Sequence, residues 1–293
     1  MSLDITFLGT GAAYPSPTRG ASATVIRFEG ECWLFDCGEG TQTQFMKSNL
    51  KAGELQRFLQ CSPDANKLPV DIYGPLGLKD FLQRAMALSC SQLVFPYVVH
   101  ELVPTPSQCP EEEWNNVFSG KRDEVSCSEP QGDMIYLNPA DDSYFLVDSG
   151  PVVLKAFRLF HRIPSFGFLN PFPGRKICVL GDCSGVVGDG VTSLCSEADI
   201  LIHEATLDDS QMEKAKERGH STPKMAAEFA KLCKARKLVL CHFSQRYKPA
   251  NQIGEGDADV TELKKQAEMV LNGQEVVLAE DFMTISIPVK KPK

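Results

Sequence analysis

The polypeptide opens on short apolar runs cut by glycine: DITFL at 4–8, ATVIRF at 23–28 and CWLFD at 32–36, with GTGAAYPSPTRG between the first two. β-Branched and aromatic residues dominate these runs, which predicts strands joined by turns. From 41 to 50 the spacing turns helical, and VDIY at 70–73 predicts a short strand. Pro75 then leads PLGLKDFLQRAMALSC, whose apolar residues recur every three or four positions as a helix requires. Residues 104–133 are polar, acidic and rich in Pro, Ser and Gln, which predicts a surface loop or insertion. The second half alternates, with strands at 152–160, 176–180, 199–202 and 237–241, helices at 208–219, 223–233 and 261–271, and strands at 275–278 and 283–287. Such alternation predicts an α/β protein: a single domain over 1–293 in which a β-rich opening and an α/β half form two packed sheets with helices outside.

Composition narrows the setting. With 293 residues, 43% of them hydrophobic, the chain can bury a core without covalent staples. The start MSLDITFLGTG has neither a basic leader nor a long apolar stretch, and no later run suits a membrane span, so no export or membrane insertion is expected. Eleven cysteines are scattered without a CxxC pair, which disfavours a disulfide framework or a thiolate zinc site and favours a reducing cytosol, or the nucleus. A formal charge of −8 disfavours indiscriminate nucleic-acid binding, because that affinity comes mainly from Lys and Arg neutralising phosphates. It leaves room for local basic patches: Arg158 with Arg162, the cluster Lys231, Lys234, Arg236 and Lys237, and the tail Lys290, Lys291 and Lys293. Solvated surface charge is the plainer reading of each.

Chemistry gathers where strands of the second half end. The strand at 152–160 runs into His161, that at 176–180 reaches Asp182 through Gly181, that at 199–202 runs into His203 and Glu204, and that at 237–241 runs into His242. Strand ends are where α/β folds place sites, and imidazole with carboxylate is a zinc-type donor set. Singly, each residue has an ordinary reading: Asp182 can cap a turn in GDCSG, and His203 with Glu204 can mark a helix boundary. Three of the five histidines at comparable strand ends make a shared metal site the alternative.

The strings FLGTGAAYPSPTRG, LFDCGEGTQ, FHRIPSFGF, VLGDCSG, HEATL, GHST and HFSQRY closely resemble short-form ribonuclease Z of the ELAC type, a zinc phosphodiesterase that trims tRNA 3′ ends. The resemblance runs over nearly the whole chain. It implies a metallo-β-lactamase αββα sandwich, two Zn²⁺ at one rim, a homodimer, and precursor tRNA as substrate. Carried over residue by residue, it makes His161 a zinc ligand, Asp182 the carboxylate bridging two zincs, and His242 a ligand of the second. Glu204 and His220 match the catalytic pair that helps protonate the leaving oxygen, Ser221 and Thr222 lie near substrate phosphate, and Asp36 shapes the rim. Paired zinc ions lower the pKa of a shared water from about 15.7 toward 7, supplying a nucleophile for in-line attack on phosphorus.

Two departures set this chain apart from that pattern. The family signature HxHxDH falls between segments like LKAG and VDIYGP, where this chain reads LKAGELQRFLQCSPDANKLPVDIYGP and has no histidine. One strand of the N-terminal half is therefore expected to be missing, and three of seven zinc-ligand positions are filled. Cys61 and Asp64 have no spacing that makes them substitutes. After FHRIPSFGF the family carries a long tRNA-gripping arm, and here only LNPFPGRK intervenes. The expectation is a chain inactive or strongly impaired in cleavage; the alternative is a non-catalytic truncated form, at most a dimerisation partner.

Overall fold

The computed structural model describes residues 3–50, 55–57, 69–91, 96–118, 132–148, 152–172, 174–254, 256 and 258–288. Two sheets face each other. The first has the order β18-β1-β2-β3-β4, built from β1 (Leu3–Gly9), β2 (Ala23–Phe28), β3 (Glu31–Phe35), β4 (Leu55–Arg57) and β18 (Thr284–Ser286). The second has the order β12-β9-β10-β11-β13-β14-β17, with β8 (Tyr144–Asp148) also paired to β9. Its members are β9 (Val153–Phe160), β10 (Ser165–Phe172), β11 (Arg175–Leu180), β12 (Gly185–Val186), β13 (Ile200–Glu204), β14 (Leu238–Cys241) and β17 (Val276–Leu278). A three-stranded parallel sheet, β5 (Val70–Pro75), β6 (Tyr97–Leu102) and β7 (Met134–Ile135), and the short pair β15 (Tyr247–Lys248) and β16 (Ala258–Asp259) complete the strands.

Successive strand residues point to opposite faces, and this assigns each apolar residue to a layer. Ile177, Val179, Ile200, Ile202 and Val239 meet Leu3, Ile5, Phe7, Trp33 and Phe35 between the sheets. Their alternates Cys178, Leu180, Leu201, Leu238 and Leu240 pack outward on Ala226, Ala227 and Ala230 of α6 (Pro223–Leu232) and Leu263 and Ala267 of α7 (Val260–Val270). On the far side of the first sheet, Leu8, Val25, Cys32 and Leu34 receive Phe45 of α1 (Thr41–Lys47). The layering is thus helix, sheet, sheet, helix. Leu78, Leu82 and Met86 of α2 (Leu78–Ser89) cover Val70, Ile72, Tyr97 and Val99 of the small sheet.

The structure corrects two expectations. A strand does stand beside β3: β4 pairs with it in parallel through Cys32 with Leu55 and Trp33 with Arg57. Its flanks at 51–54 and 58–68 lie outside the described residues, as do Cys61 and Asp64. The 104–133 stretch is not simply loop. Thr105 and Gln108 close a capping box on the 3₁₀ turn Pro106–Gln108, and three glutamates open α3 (Glu111–Phe118), where negative charge suits a helix N-terminus. Residues 119–131 of that stretch, and the basic tail, fall outside the described residues.

Candidate metal centre

Strands β11, β13 and β14 run parallel, with Leu180 opposite His203 and Glu204 opposite Cys241, so the residues just beyond them converge at one rim. There Asp182, Glu204, His220 and His242 offer donor atoms that all lie within 4.8 Å of one another. His161 ends β9 beside them, its ring centroid 5.1 Å from that of His220, which is 5.5 Å from that of His242. His161, Asp182, His220 and His242 line a cavity of about 640 Å³, and Glu204 is buried behind them.

Each imidazole is anchored through Nδ1. That of His161 lies 2.7 Å from the Gly219 carbonyl, which can only accept, so Nδ1 is the donor and the tautomer is fixed. His220 holds Glu204 Oε1 at 2.9 Å. His242 lies 3.0 Å from Thr206 Oγ1, whose hydroxyl donates to Glu204 Oε2 at 2.6 Å. Nε2 of His161 and of His220 meets no described partner, while that of His242 faces Asp182 Oδ1 at 2.7 Å, so a cation would sit between the last two; an outer partner orients each ring as it does in metal-binding histidines. Gly219 makes the first anchor possible. Its φ is +76°, and a Cβ there would press into the His161 ring and within 2.9 Å of the Arg162 backbone nitrogen.

Glu204 is fully buried and is the hub beneath these rings. Besides His220 and Thr206 it accepts from the backbone nitrogens of Cys183 at 2.8 Å and Ser221 at 2.9 Å. Burial alone would raise its carboxyl, but the His220 hydrogen bond and the His242 and His220 charges outweigh this and hold it low. Asp182 behaves likewise: burial is opposed first by His242, then by His220 and His161, and its carboxyl lies well below the usual range. His242 is pushed down by burial but pulled up to about 9 by Asp182. The Asp36 side chain remains open to solvent although crowded by protein atoms, and that crowding, then Asp182, pushes its carboxyl up to about 6.

These residues fit a divalent cation. Asp182 Oδ1 is buried 2.7 Å from His242 Nε2 yet has no hydrogen-bond partner in proper alignment among the described residues. A buried carboxylate oxygen in that state is one a cation would satisfy.

Of the strand-end candidates, His203 does not join the site. The strand alternation that sends Glu204 to the rim turns His203 the other way, where its Nδ1 meets the Glu204 carbonyl and its ring packs 6.1 Å from Phe229. Ser221 and Thr222 are buried. The Ser221 hydroxyl donates to the Cys183 carbonyl at 2.7 Å, and Thr222 Oγ1 meets no described partner. Thr206 and Gly219 were not singled out by sequence. Thr206 had a signal, since it stands two residues beyond Glu204 and so continues the same strand face; Gly219 had none.

A sandwich of two sheets with His and Asp donors at one rim defines the metallo-β-lactamase class, and residues 137–243 match the model of the beta-lactamase superfamily domain. The chain is 54% identical to zinc phosphodiesterase ELAC protein 1 of Homo sapiens, covering 99% of this chain and 100% of that one. It is 31% identical to ribonuclease Z of Nostoc punctiforme, covering 98% and 96%. The crystal structure of human tRNase Z, short form, superposes with a TM-score of 0.78 at 55% identity, covering 98% and 100%. The Bacillus subtilis protein YhfI, at 16% identity and a TM-score of 0.62 over 98% and 100%, shares the fold alone. The chain belongs to the ribonuclease Z family, on its ELAC protein 1 branch. Alignment with the human relative extends over 363 positions, 70 more than the 293 residues here.

Proposed function

We propose that this chain is a zinc phosphodiesterase of precursor tRNA 3′ ends whose metal shell is half built, so that cleavage is far slower than in relatives carrying the HxHxDH segment. The observation that carries it is the rim of three imidazoles, each anchored at Nδ1, gathered around Asp182, whose Oδ1 lies 2.7 Å from His242 Nε2. His161, Asp182 and His242 would hold the metal, which when bound supplies Lewis-acid and water-activating chemistry. Glu204 orients His220, whose Nε2 can deliver a proton to the departing oxygen. Ser221 fixes Glu204 from behind through its backbone nitrogen, and Thr222 starts α6 beside it.

All five histidines lie at or beyond position 100, so no imidazole is available to complete the shell from the 50–75 region. Loss of a single outer-shell partner costs about 10- to 100-fold in affinity or activity, and loss of most direct ligands should cost far more. Further parts of the reading are a cytosolic or nuclear location and a homodimer.

Elemental analysis of the purified chain and cleavage of a tRNA precursor, beside a version carrying the relatives' HxHxDH segment, test this. The expectation is well under two zinc ions per chain, weak cutting, and recovery of both on restoration. Two ions per chain with relative-like cutting before restoration would overturn the half-built shell, and no cutting after it would overturn the nuclease reading.

A further inference from the structure

The cavity over the metal centre is walled by arginine. Arg162, Arg218 and Arg246 line it, together with three histidines and a single carboxylate, Asp182. In a chain of net charge −8 this is a concentrated positive field. Arg246 is tied, donating to Gln211 at 3.0 Å. Arg162 and Arg218 differ: both are exposed, and neither guanidinium makes an ion pair or hydrogen bond with a described residue. They are also neighbours by construction. Arg162 follows the ring that Gly219 holds, Arg218 precedes Gly219, and the two backbones approach so closely that only glycine fits between them. The same cavity is lined by Tyr14, an aromatic ring 62% exposed, in a loop fixed by Gln245 donating to its carbonyl at 2.8 Å.

We propose that Arg162 and Arg218 are a paired phosphate clamp for single-stranded RNA entering the site, with Tyr14, which lines the same cavity, as the stacking platform for a base. This deepens the proposed function and rests on it. Guanidinium groups present planar forks matched to phosphate oxygens, and they remain charged at every physiological pH. An aromatic ring takes any base on its face, so this pairing of wall types reads backbone and stacking rather than sequence. The two arginines are positioning residues: they reach substrate phosphate and leave the metal donors untouched.

The test is binding of a short single-stranded RNA to the full chain, read by fluorescence anisotropy over a salt series, with an uncharged methylphosphonate-backbone version and inorganic pyrophosphate as companion probes. The double substitution R162A/R218A should raise Kd for the RNA at least 20-fold, flatten the salt slope by roughly 1 to 1.5, as two lost contacts to a single strand imply, and leave the uncharged probe and zinc content unchanged. R162K/R218K should restore the salt slope but only part of the affinity, and Y14A should weaken both backbones alike. K231A/K237A, which removes equal charge from the last turn of α6 and the approach to β14, should change nothing beyond twofold. If R162A/R218A binds RNA as wild type does, the clamp is refuted while the nuclease reading stands. If wild type binds pyrophosphate through the pair but no RNA, the nuclease reading fails and the pair survives as an anion site. If wild type binds neither, both fail.

Discussion

Glu204 accepts from three backbone nitrogens, a hydroxyl and an imidazole with no solvent to replace any of them. Removing one partner of a buried set leaves the others uncompensated, at about 1–3 kcal/mol for each stranded donor. Glu204→Ala should therefore lower unfolding free energy by about 3 kcal/mol or more in urea titration, whereas the near-isosteric Thr206→Val should cost about 1–2 kcal/mol. Thr206→Val should also weaken zinc binding about 10- to 100-fold, measured by competition with a chelating dye, because it frees the His242 ring. Gly219→Ala is expected to disturb His161 in the same assay, since φ near +76° and the His161 ring both oppose a methyl group. At this scale the sequence was legible for residue type and blind to direction. His203 and Glu204 are adjacent, and only the register of β13 decides which one reaches the rim.

Strands with alternating β-branched residues, such as β2 and β11, stand where their pattern puts them. β10, with glycine, asparagine and proline in SFGFLNPF, carries no such signal; it forms because β9 and β11 flank it on both sides. β6 and β8 were missed although YVVHEL and YFLVD carry the aromatic and β-branched residues that favour strands. The turn into α5 (Met212–Glu217) supplies a pH test. Burial would raise the Asp208 carboxyl, but hydrogen bonds from Ser210, Tyr247 and Gln211 hold it at about 2, and burial, then Asp208, lifts the Tyr247 hydroxyl to about 12. The depressed carboxyl adds stability above its unfolded pKa of about 3.9, lost as pH falls toward 2. The raised phenol adds stability below about 10, lost as pH rises through 12. Tyr247→Phe, which deletes a 2.6 Å bond, should cost about 1 kcal/mol at neutral pH and flatten the alkaline limb in denaturation curves taken across pH.

The whole molecule divides its labour by sheet. His161, Asp182, Glu204 and His242 lie at or just beyond strands of the second sheet, His220 stands between α5 and α6 beside them, and the 137–243 match covers that set. The first sheet carries Asp36 on its rim and none of that set. Its core contacts with the second sheet remain, from Leu3 to Phe35 against Ile177 to Val239, so the donor set should tolerate change on the first-sheet side. Restoring the absent segment should raise metal content without altering the histidine anchors, a result readable by NMR of the imidazole nitrogens before and after. The shared core was legible in the alternating runs, and the layering in the mixture of strand and helix periods. What pattern could not foresee is β4, because three residues are too few to carry a period.

The anchoring of each imidazole by a carbonyl, a carboxylate or a hydroxyl has a final consequence. Ring orientation here is settled during folding by oxygen atoms of the protein itself, before any cation arrives. An incoming ion would meet side chains already in place and would not have to recruit swinging ones, so exchange of one divalent species for another should alter reactivity while the surrounding chain keeps its shape.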